Sequence, residues 1–456
     1  MNNEAVFPRD FLKSYPQASR AEGCFVYTTE GRRYLDASGG AAVVTIGHGV
    51  EAVARAMAEQ ASRLAYVHSS QFHIGVVEKL AQRILALAPH GMRRNGRVFF
   101  TSGGSEATET AIKLARQYWL ERGNQKRTRV ISRRQSYHGA TLGALSVSGN
   151  VRRREPFAPL LSEWGHVAPC FCYRCPFGLQ YPECNVDCAD DLERLLARDG
   201  DDEVAAFMFE PVSGATLGAV VPPDGYVQRL AEICRRHQIL FIADEIMTGM
   251  GRTGKPFAVQ HWGAVPDMIL VGKGVASGYA PLGAVIVAGH VAEAIARGSG
   301  SFLHGFTYNS HPVSAAAGNA VLDYIERENL FARVEPAGQE LGAALERLKR
   351  FSIVGDVRGL GLLWAVELVR DTKTREPFPP DARIAARIAE DAIESGVLTY
   401  PIQGCVDGHR GDHILLAPPF TITSGMIQML ASALEHAAAD LEKTHLAGTG
   451  GSSALV

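Results

Sequence analysis

The sequence predicts an α/β protein, with a mostly parallel central sheet in a large domain and a smaller α+β domain beside it. Short β-branched runs alternate with longer helical patterns through the middle of the chain, which is typical of βα units around a parallel sheet. Those runs are continuously apolar, as expected of strands buried on both faces. The chain has 456 residues, 46% of them hydrophobic, which is enough for a large core or two domains.

The predicted strands of the large domain are separated by helical patterns, the clearest at 105–123 and 225–238. They are VFF (98–100), RVIS (129–132), AAFMFE (205–210), ILFIADE (239–245) and MILVG (268–272). In open α/β sheets, ligands bind beyond the carboxyl ends of the strands. Polar residues at those ends are therefore the first candidates for a functional site.

The small domain is predicted from both ends of the chain, residues 1–55 and 325–456, with the large domain at 56–324. Its N-terminal part contains CFVYTTEGRRYLDAS (24–38), which is typical of a β-hairpin that turns at Glu30-Gly31. Its C-terminal part contains helical patterns, the run IVGDVRGLGLLWAVELV (353–369) and a hairpin-like HILLAPPFTIT (413–423). The Gly/Ser-rich tail HLAGTGGSSALV (445–456) is predicted to be disordered.

The charge balance and the hydropathy of the sequence argue against nucleic acids and membranes as partners. Lys and Arg number 46 against 48 for Asp and Glu, without a basic block, so we expect no nucleic-acid binding. No stretch offers the ~18 uninterrupted apolar residues that span a membrane, and the N-terminus lacks the pattern of a signal peptide. We therefore expect a cytoplasmic protein that binds small molecules or other protein chains.

Two glycine-rich motifs imitate nucleotide sites. GMGRTG (249–254) matches the dinucleotide pattern G-x-G-x-x-G, but Pro256 follows where that pattern needs a helix, so we interpret it as a loop. Gly272-Lys273 resembles the end of a Walker loop, but the glycine expected five residues earlier is Asp267, and Gly274 replaces the required Ser or Thr. Neither motif predicts a nucleotide.

A phosphate site is more consistent with SGGS (102–105), which joins a predicted strand directly to a helix. Backbone N–H groups and the positive end of the helix dipole converge there, and the small residues let an anion approach. An ordinary helix N-cap at Ser105 explains the motif equally well. The other strand ends decide between the two.

Two charged residues end predicted strands, Asp244 after ILFIA and Lys273 after MILVG. The structural alternative is an ion pair that closes a strand edge. Pyridoxal phosphate needs an amine for a Schiff base, a carboxylate to keep its pyridine nitrogen protonated and a cup for its phosphate. Tyr137, in RRQSYHGATLGALS, supplies an aromatic ring to stack on the cofactor. The combination predicts pyridoxal 5′-phosphate as the cofactor.

Five motifs follow one another along the chain: SGGSEATETAIKLAR, SYHGATLGALS, FEPVSGATLGAVVPPDGY, LFIADEIMTGMGRTG and VGKGVASGYAPLGAV. In order and spacing they resemble the class III pyridoxal-phosphate-dependent aminotransferases of fold type I, often called ω-aminotransferases, and the similarity covers nearly the whole chain. The resemblance implies a homodimer with the cofactor at the subunit interface.

The resemblance also implies roles for individual residues. They are Lys273 for the Schiff base, Asp244 for the pyridine nitrogen, Ser102, Gly103, Gly104 and Ser105 for the phosphate, Tyr137 and Ile246 for the two ring faces, and Thr307 for the phosphate of the neighbouring subunit. Glu210 matches a glutamate near the ring whose role is open, and His138 is expected to support Tyr137.

Three departures from the family pattern bear on the substrate. Relatives that act on γ- or δ-amino acids often carry a glutamate where this chain has Ala215, so the resemblance favours pyruvate as the amino acceptor. Met247 stands where many relatives have a glutamine that bonds the ring hydroxyl, and that contact is either lost or supplied by another group. Arg410 lies in the loop where pyruvate-type members place a mobile arginine; it either binds a keto-acid carboxylate or is a solvated loop residue.

The implied reaction is ping-pong transamination of a primary amine or an ω-amino acid, with Lys273 as the Schiff-base residue and the proton carrier. Lys273 and Asp244 do not by themselves separate a transaminase from a decarboxylase, racemase, mutase or phospholyase of the same fold. A non-catalytic ligand-binding relative is a further alternative. The donor amine is not specified by the sequence.

Five of the eight cysteines lie in PCFCYRCPFGLQYPECNVDCADDLE: Cys170, Cys172, Cys175, Cys184 and Cys188. A C-x-x-C followed by further cysteines permits zinc or an iron–sulfur cluster. The irregular spacing and the aromatic and proline content favour reduced thiols in a compact loop. We expect no metal here, with a cysteine-bound metal as the alternative.

Overall fold

The computed structural model describes residues 5–449 of the chain, with side chains described as far as Thr444. Its strands, in chain order, are β1 (Ala18–Glu22), β2 (Phe25–Thr28), β3 (Arg33–Asp36), β4 (Arg97–Thr101), β5 (Arg129–Arg133), β6 (His166–Val167), β7 (Val204–Phe209), β8 (Leu240–Asp244), β9 (Met268–Val271), β10 (Gly283–Val287), β11 (Val354–Leu360), β12 (Leu363–Leu368), β13 (Val397–Leu398), β14 (Tyr400–Gln403) and β15 (Asp412–Leu416). Its helices are α1 (Gly39–Ala42), α2 (Glu51–Arg63), α3 (Gly75–Leu87), α4 (His90–Arg93), α5 (Gly104–Glu121), α6 (Leu142–Val147), α7 (Val151–Arg154), α8 (Asp187–Asp199), α9 (Tyr226–Arg236), α10 (Gly289–Arg297), α11 (Pro312–Arg327), α12 (Leu330–Glu346), α13 (Ile384–Glu394) and α14 (Ser424–Thr449).

Seven strands form one large sheet in the order β4-β10-β9-β8-β7-β5-β6. The pairs from β9 through β6 are parallel, whereas β10 runs antiparallel to its neighbours β4 and β9. The five strands predicted for the large domain all lie in this sheet, so the predicted α/β class is confirmed. The sequence patterns do not predict β10 or the two-residue β6.

Both faces of the large sheet are buried, as β8 illustrates. Phe241 and Ala243 pack into one core cluster, whereas Leu240 and Ile242 pack into another, together with side chains of α5. All five residues of β8 are buried, which explains its continuous apolar run up to Asp244. Because β7, β8 and β9 run parallel, the residues that follow them emerge at one edge of the sheet.

Two four-stranded sheets complete the fold, in the orders β1-β2-β3-β13 and β11-β12-β15-β14. The predicted hairpin at Glu30-Gly31 is confirmed, since β2 and β3 pair antiparallel on either side of it and Gly31 has a φ of +81°. β3 pairs in parallel with β13, which joins the N-terminal segment to the C-terminal part of the chain. The division into domains at residues 56 and 325 stays a prediction.

The hairpin predicted within HILLAPPFTIT is wrong. Only its first residues form a strand, β15, which pairs with β12 and with the preceding strand β14. Pro418 and Pro419 come shortly after β15, and proline has no N–H to donate to a neighbouring strand. The chain therefore leaves the sheet at this point instead of turning back into it.

The C-terminal helix α14 extends to Thr449. The disorder predicted for residues 445–456 stays a prediction, because residues 450–456 lie outside the described part of the chain and side chains are described only as far as Thr444. Among the helices between residues 5 and 449, none is both long enough and apolar enough to cross a membrane.

Candidate active site

A cavity of about 190 Å³ lies at the edge where the parallel strands of the large sheet end. Residues that follow β5, β7, β8 and β9 line it, together with the first turn of α5. The predicted site residues in its wall are Gly104, Ser105, Tyr137, His138, Glu210, Asp244, Ile246 and Lys273. The remaining wall residues are Gly139, Val212 and Met247.

Lys273 carries the amine of the site and follows β9 after one glycine. Its backbone is left-handed, with a φ of +44°, a conformation that costs a non-glycine residue on the order of 1–3 kcal/mol and is found mainly at functional sites. Burial lowers the pKa of Lys273 to about 8, and the carboxylates of Asp244 and Glu210 offset this effect only in part. A sizeable fraction of the amine is therefore neutral near pH 8, as a nucleophile requires.

Asp244 is the last residue of β8 and is 4% exposed. Its Oδ2 lies 2.7 Å from Nδ1 of His138, and its Oδ1 accepts a hydrogen bond from the N–H of Ile246 at 3.1 Å. The backbone of His138 is held in turn, because its carbonyl accepts from Thr108 and its N–H donates to Ser148. An ionised carboxylate only accepts, so the contact with Asp244 requires a proton on Nδ1 of His138.

The residues predicted to bind the phosphate lie at and just before the start of α5. Gly103 precedes the helix in an extended conformation, with open space where a side chain would stand. The hydroxyl of Ser105 accepts a hydrogen bond from the N–H of Ala140 at 3.0 Å and does not cap the helix, so the N-cap interpretation of Ser105 is wrong. Ser105 instead ties the helix start to the loop after β5. The dipole and the small residues of this helix start favour an anion.

Tyr137 and Ile246 both line the cavity, but their surroundings differ. Tyr137 is half-buried, and the guanidinium of Arg153 lies 4.5 Å from the centroid of its ring. Ile246 packs closely on two glycines: a Cβ on Gly104 would lie 2.7 Å from its Cδ1, and one on Gly272 would lie 3.5 Å from its Cγ2. The sequence does not reveal Arg153, because the run VRRRE looks like an ordinary solvated basic segment.

Glu210 follows β7 and is 6% exposed. Its Oε1 accepts a hydrogen bond from the N–H of Gly214 at 3.3 Å, whereas its Oε2 is buried without a partner. Burial raises the pKa of Glu210, against the opposing effects of His138 and Arg133. Nε2 of His138 is a second buried atom without a partner in this wall. Two unsatisfied polar atoms at one cavity indicate a site that a ligand or water completes.

Four predicted site residues do not line this cavity: Ser102, Gly103, Thr307 and Arg410. Ser102 borders a neighbouring cavity of about 420 Å³. Thr307 is exposed, and its carbonyl accepts a hydrogen bond from the hydroxyl of Tyr66 at 2.7 Å. Arg410 is also exposed, and its Nε donates to Asp407 at 2.7 Å. The roles of these residues stay predictions.

The clustered cysteines are all free thiols. Cys172, Cys175, Cys184 and Cys188 line one very small cavity, and burial, together with the neighbouring cysteines, raises the pKa of Cys172 and of Cys188. Within the described residues, no group of three or more His, Cys, Asp or Glu side chains could hold a metal ion. The alternative of a cysteine-bound metal gains no support from this arrangement.

The residues present fit pyridoxal phosphate. An amine of lowered pKa, a buried carboxylate with fixed hydrogen bonds and a helix start made of small residues surround one cavity, and two of its polar atoms lack partners. Each of these features corresponds to one part of the cofactor. The fold and the site together define a fold type I enzyme that depends on pyridoxal phosphate.

Comparison with known proteins narrows this class to one family. A model of the family Aminotransferase class-III matches residues 9–438. The uncharacterized aminotransferase YodT of Bacillus subtilis is 40% identical over 435 residues, which cover 95% of this chain and 97% of that protein. The putrescine–pyruvate aminotransferase of Pseudomonas aeruginosa is 34% identical over 90% of this chain and 88% of its own length.

A crystal structure of an amine transaminase from an uncultivated Pseudomonas species, in its PLP-bound internal aldimine form, is also similar. It has a TM-score of 0.89 and 37% identity over 96% of this chain and 98% of its own length. The chain therefore belongs to the class III aminotransferases, as the motifs predicted. These findings confirm the predicted fold type, enzyme class and cofactor.

Proposed function

We propose that the protein transfers an amino group from a primary amine or an ω-amino acid to a keto acid, with pyruvate as the acceptor, by a ping-pong mechanism. One observation carries the proposal: Lys273 and Asp244 border one cavity at the ends of adjacent parallel strands. Pyridoxal phosphate, when bound there, supplies a protonated pyridine ring that accepts the electron pair released at the donor carbon.

Lys273 holds the cofactor covalently and moves the proton at the donor carbon in this proposal. Its pKa of about 8, lowered by burial, makes the neutral amine accessible close to neutral pH. A lysine with the usual pKa of about 10.4 would be almost fully protonated there, and could neither attack a carbonyl nor accept a proton.

Asp244 keeps the pyridine nitrogen protonated. Its two oxygens are contacted by His138 and by the N–H of Ile246, so the carboxylate is oriented before a ligand arrives. Such a preorganised charge acts strongly where burial excludes water. The carboxylate therefore stabilises the positively charged form of the ring more than a solvated aspartate would.

Pyruvate is the proposed acceptor on two grounds. Ala215 stands where relatives that act on γ- or δ-amino acids often carry a glutamate, which masks a carboxylate-binding arginine. The backbone carbonyl of Ala215 contacts Nε2 of His413 at 2.9 Å. The similar Pseudomonas aeruginosa protein is a putrescine–pyruvate aminotransferase. Arg410 is the proposed partner of the keto-acid carboxylate. Its present ion pair with Asp407 is exposed, and such pairs are worth about 0–1 kcal/mol, so releasing the arginine costs little.

A homodimer is part of the proposal. Tyr308 is 62% exposed, and its ring lies 6.0 Å from that of the partly exposed Tyr66. Exposed aromatic residues are enriched at protein interfaces, and Thr307 lies beside this pair, where it is proposed to reach the phosphate of a neighbouring subunit. The proposed compartment is the cytoplasm, where the eight free cysteines would stay reduced.

Acceptor dependence tests the proposal. The protein, loaded with pyridoxal phosphate, is incubated with a panel of primary amines and ω-amino acids and with either pyruvate or 2-oxoglutarate. We expect alanine to form from pyruvate faster than glutamate forms from 2-oxoglutarate, and the control variant Lys273→Ala to form neither. Glutamate without alanine would contradict the assignment of pyruvate. Turnover that needs no keto acid would contradict transamination.

A further inference from the structure

We propose that Glu210 is a neutral carboxylic acid that donates a hydrogen bond from Oε2 to the ring oxygen of bound pyridoxal phosphate, a contact that Met247 cannot make. The inference rests on the proposed function, because it requires the cofactor to lie between Lys273 and Asp244. It goes further by giving Glu210 control over the charge distribution of the ring.

The order of the strands places Glu210 beyond Asp244, at the end of the row that lies farther from the start of α5. Along the edge of the sheet, the phosphate cup follows β4, Lys273 follows β9, Asp244 ends β8 and Glu210 follows β7. In pyridoxal phosphate, the carbon bonded by the lysine lies opposite the ring nitrogen, and the phosphate arm and the hydroxyl group lie on either side of that axis. The proposal places the phosphate arm at the start of α5 and the hydroxyl oxygen on the side of β7.

Glu210 and Met247 are neighbours in this part of the wall. A Cβ placed on Gly214 would lie 2.5 Å from Sδ of Met247 and 3.1 Å from Oε1 of Glu210. A thioether sulfur has no proton to donate and accepts hydrogen bonds only weakly. Val212, which also lines the cavity, is apolar. Glu210 is therefore the residue of this group that can offer a proton to the ring oxygen.

The two carboxyl oxygens of Glu210 are used differently. Oε1 accepts a hydrogen bond from Gly214, whereas Oε2 is buried without a partner in a side chain that lines the cavity. A buried polar atom without a partner costs free energy unless a ligand satisfies it. A proton on Oε2, directed at the ring oxygen, satisfies both groups at once.

The surroundings of Glu210 favour its neutral form. Burial is the largest influence and raises its pKa; His138 and Arg133 oppose this shift, and the carboxylate of Asp244 adds to it. A guanidinium N–H of Arg133 donates a hydrogen bond to the backbone carbonyl of Glu210 at 2.5 Å. Arg133 forms no ion pair with the carboxyl group of Glu210. Lys273 is a further nearby cation, and burial lowers its own pKa.

The visible absorbance of the lysine-bound cofactor reports on this contact as the pH is varied. The midpoint is the pH at which half of the chromophore has lost its proton, read from the change in absorbance. A donor to the ring oxygen stabilises the deprotonated chromophore and lowers this midpoint. A nearby carboxylate stabilises the protonated chromophore and raises the midpoint. We expect Glu210→Leu to raise the midpoint by roughly one pH unit, as loss of one hydrogen bond to a charged oxygen implies. Glu210→Gln keeps a donor, and we expect its midpoint to stay near that of the wild type.

An anionic Glu210 gives the opposite result. Both Glu210→Gln and Glu210→Leu would then lower the midpoint, and either this outcome or an unchanged midpoint in Glu210→Leu overturns the proposal. Infrared spectra of the loaded protein give a second readout. We expect the carbonyl stretch of a protonated carboxyl group that disappears in Glu210→Gln; a carboxylate band in its place also overturns the proposal.

Met247 supplies variants that keep the test decisive if the Glu210 variants fail to fold. Met247→Gln adds a donor to the same wall, and we expect it to lower the midpoint and to reverse the shift of Glu210→Leu; Met247→Leu is the control without a donor. A raised or unchanged midpoint in Met247→Gln would show that the ring oxygen does not face this wall. If the wild-type protein takes up no cofactor, the proposed function is wrong as well. If transamination is normal but the midpoint shifts have the wrong sign, only the role of Glu210 is wrong.

Discussion

Among the single residues of the site, His138 has a contact that is simple to remove. Its Nδ1 lies 2.7 Å from the buried Oδ2 of Asp244, and a hydrogen bond to a charged group contributes about 1.5–3 kcal/mol. We expect His138→Phe to lower kcat roughly 10- to 100-fold with little change in KM for the donor, because Asp244 then loses the hydrogen bond that orients its carboxylate toward the ring. Steady-state kinetics over a range of pH measures this loss.

His138→Asn is the matched control, since its side-chain amide can still donate a hydrogen bond to Asp244. We expect this variant to retain much of the kcat that His138→Phe loses, with a pH profile close to that of the wild type. Equal losses in both variants would mean that the imidazole ring acts through its packing and not through the hydrogen bond.

The residues that sequence can predict at this scale are those at strand ends. Lys273 and Asp244 each follow an apolar run, and parallel strands bring such ends together. The contact between His138 and Asp244 joins residues 106 positions apart and depends on how the loop after β5 folds back. The free Oε2 of Glu210 likewise depends on the path of the chain to Gly214. Local residue patterns therefore predict neither the contact between His138 and Asp244 nor the free Oε2 of Glu210.

At the scale of secondary-structure elements, the start of α5 packs tightly against the end of β8. A Cβ on Gly104 would lie 2.7 Å from Cδ1 of Ile246, closer than side-chain carbons normally approach. We expect Gly104→Ala to displace Ile246 into the cavity and to weaken binding of pyridoxal phosphate roughly 10-fold, since overpacking costs about 1–3 kcal/mol. Titration of the apoprotein with the cofactor, followed by visible absorbance, measures the change.

Ile246→Val provides the compensating variant, because it removes the Cδ1 atom that the new methyl group would meet. We expect the double variant to regain most of the affinity lost by Gly104→Ala. A double variant as weak as Gly104→Ala would contradict this explanation and would indicate that the added methyl group obstructs the cofactor itself.

Strand existence is easier to predict than strand order. β4, β5, β7, β8 and β9 follow from their apolar runs, and β10 is just as apolar but lies in the glycine-rich segment after Lys273. Its antiparallel position between β4 and β9 depends on pairing with segments far away in the chain. The hairpin predicted in HILLAPPFTIT fails for a local reason, because Pro418 and Pro419 follow β15 and cannot donate to a neighbouring strand, and β15 pairs with β14 and β12.

At the scale of the whole molecule, Arg252 connects distant parts of the chain. It is fully buried and donates to the backbone carbonyls of Leu362 at 3.2 Å, Pro418 at 2.5 Å and Val44 at 3.1 Å. It lies within GMGRTG, whose residues form turns and not a helix start, so the loop interpretation of this motif is confirmed. The motif therefore connects three distant segments through hydrogen bonds from Arg252, and we call this arrangement the Arg252 joint. The sequence cannot show this role, because the three carbonyls are remote along the chain.

Removal of this arginine tests whether the joint holds the molecule together. Arg252→Met leaves three buried carbonyls without a donor, and at about 1–3 kcal/mol for each unsatisfied group we expect a loss of roughly 3–9 kcal/mol in the free energy of unfolding. Denaturant unfolding of the apoprotein measures the loss. Hydrogen exchange should show reduced protection around residues 44, 362 and 418 before the large sheet is affected.

Arg83→Met is the matched control. Arg83 also donates to a backbone carbonyl, that of Asn319, but the carboxylates of its ion-pair partners Asp323 and Glu326 are exposed, and pairs with solvated partners contribute about 0–1 kcal/mol. We expect a smaller loss of stability and unchanged exchange around residues 44, 362 and 418. If the two variants lose equal stability, or if exchange near those carbonyls does not respond to Arg252→Met, then apolar packing and not the buried guanidinium joins the segments.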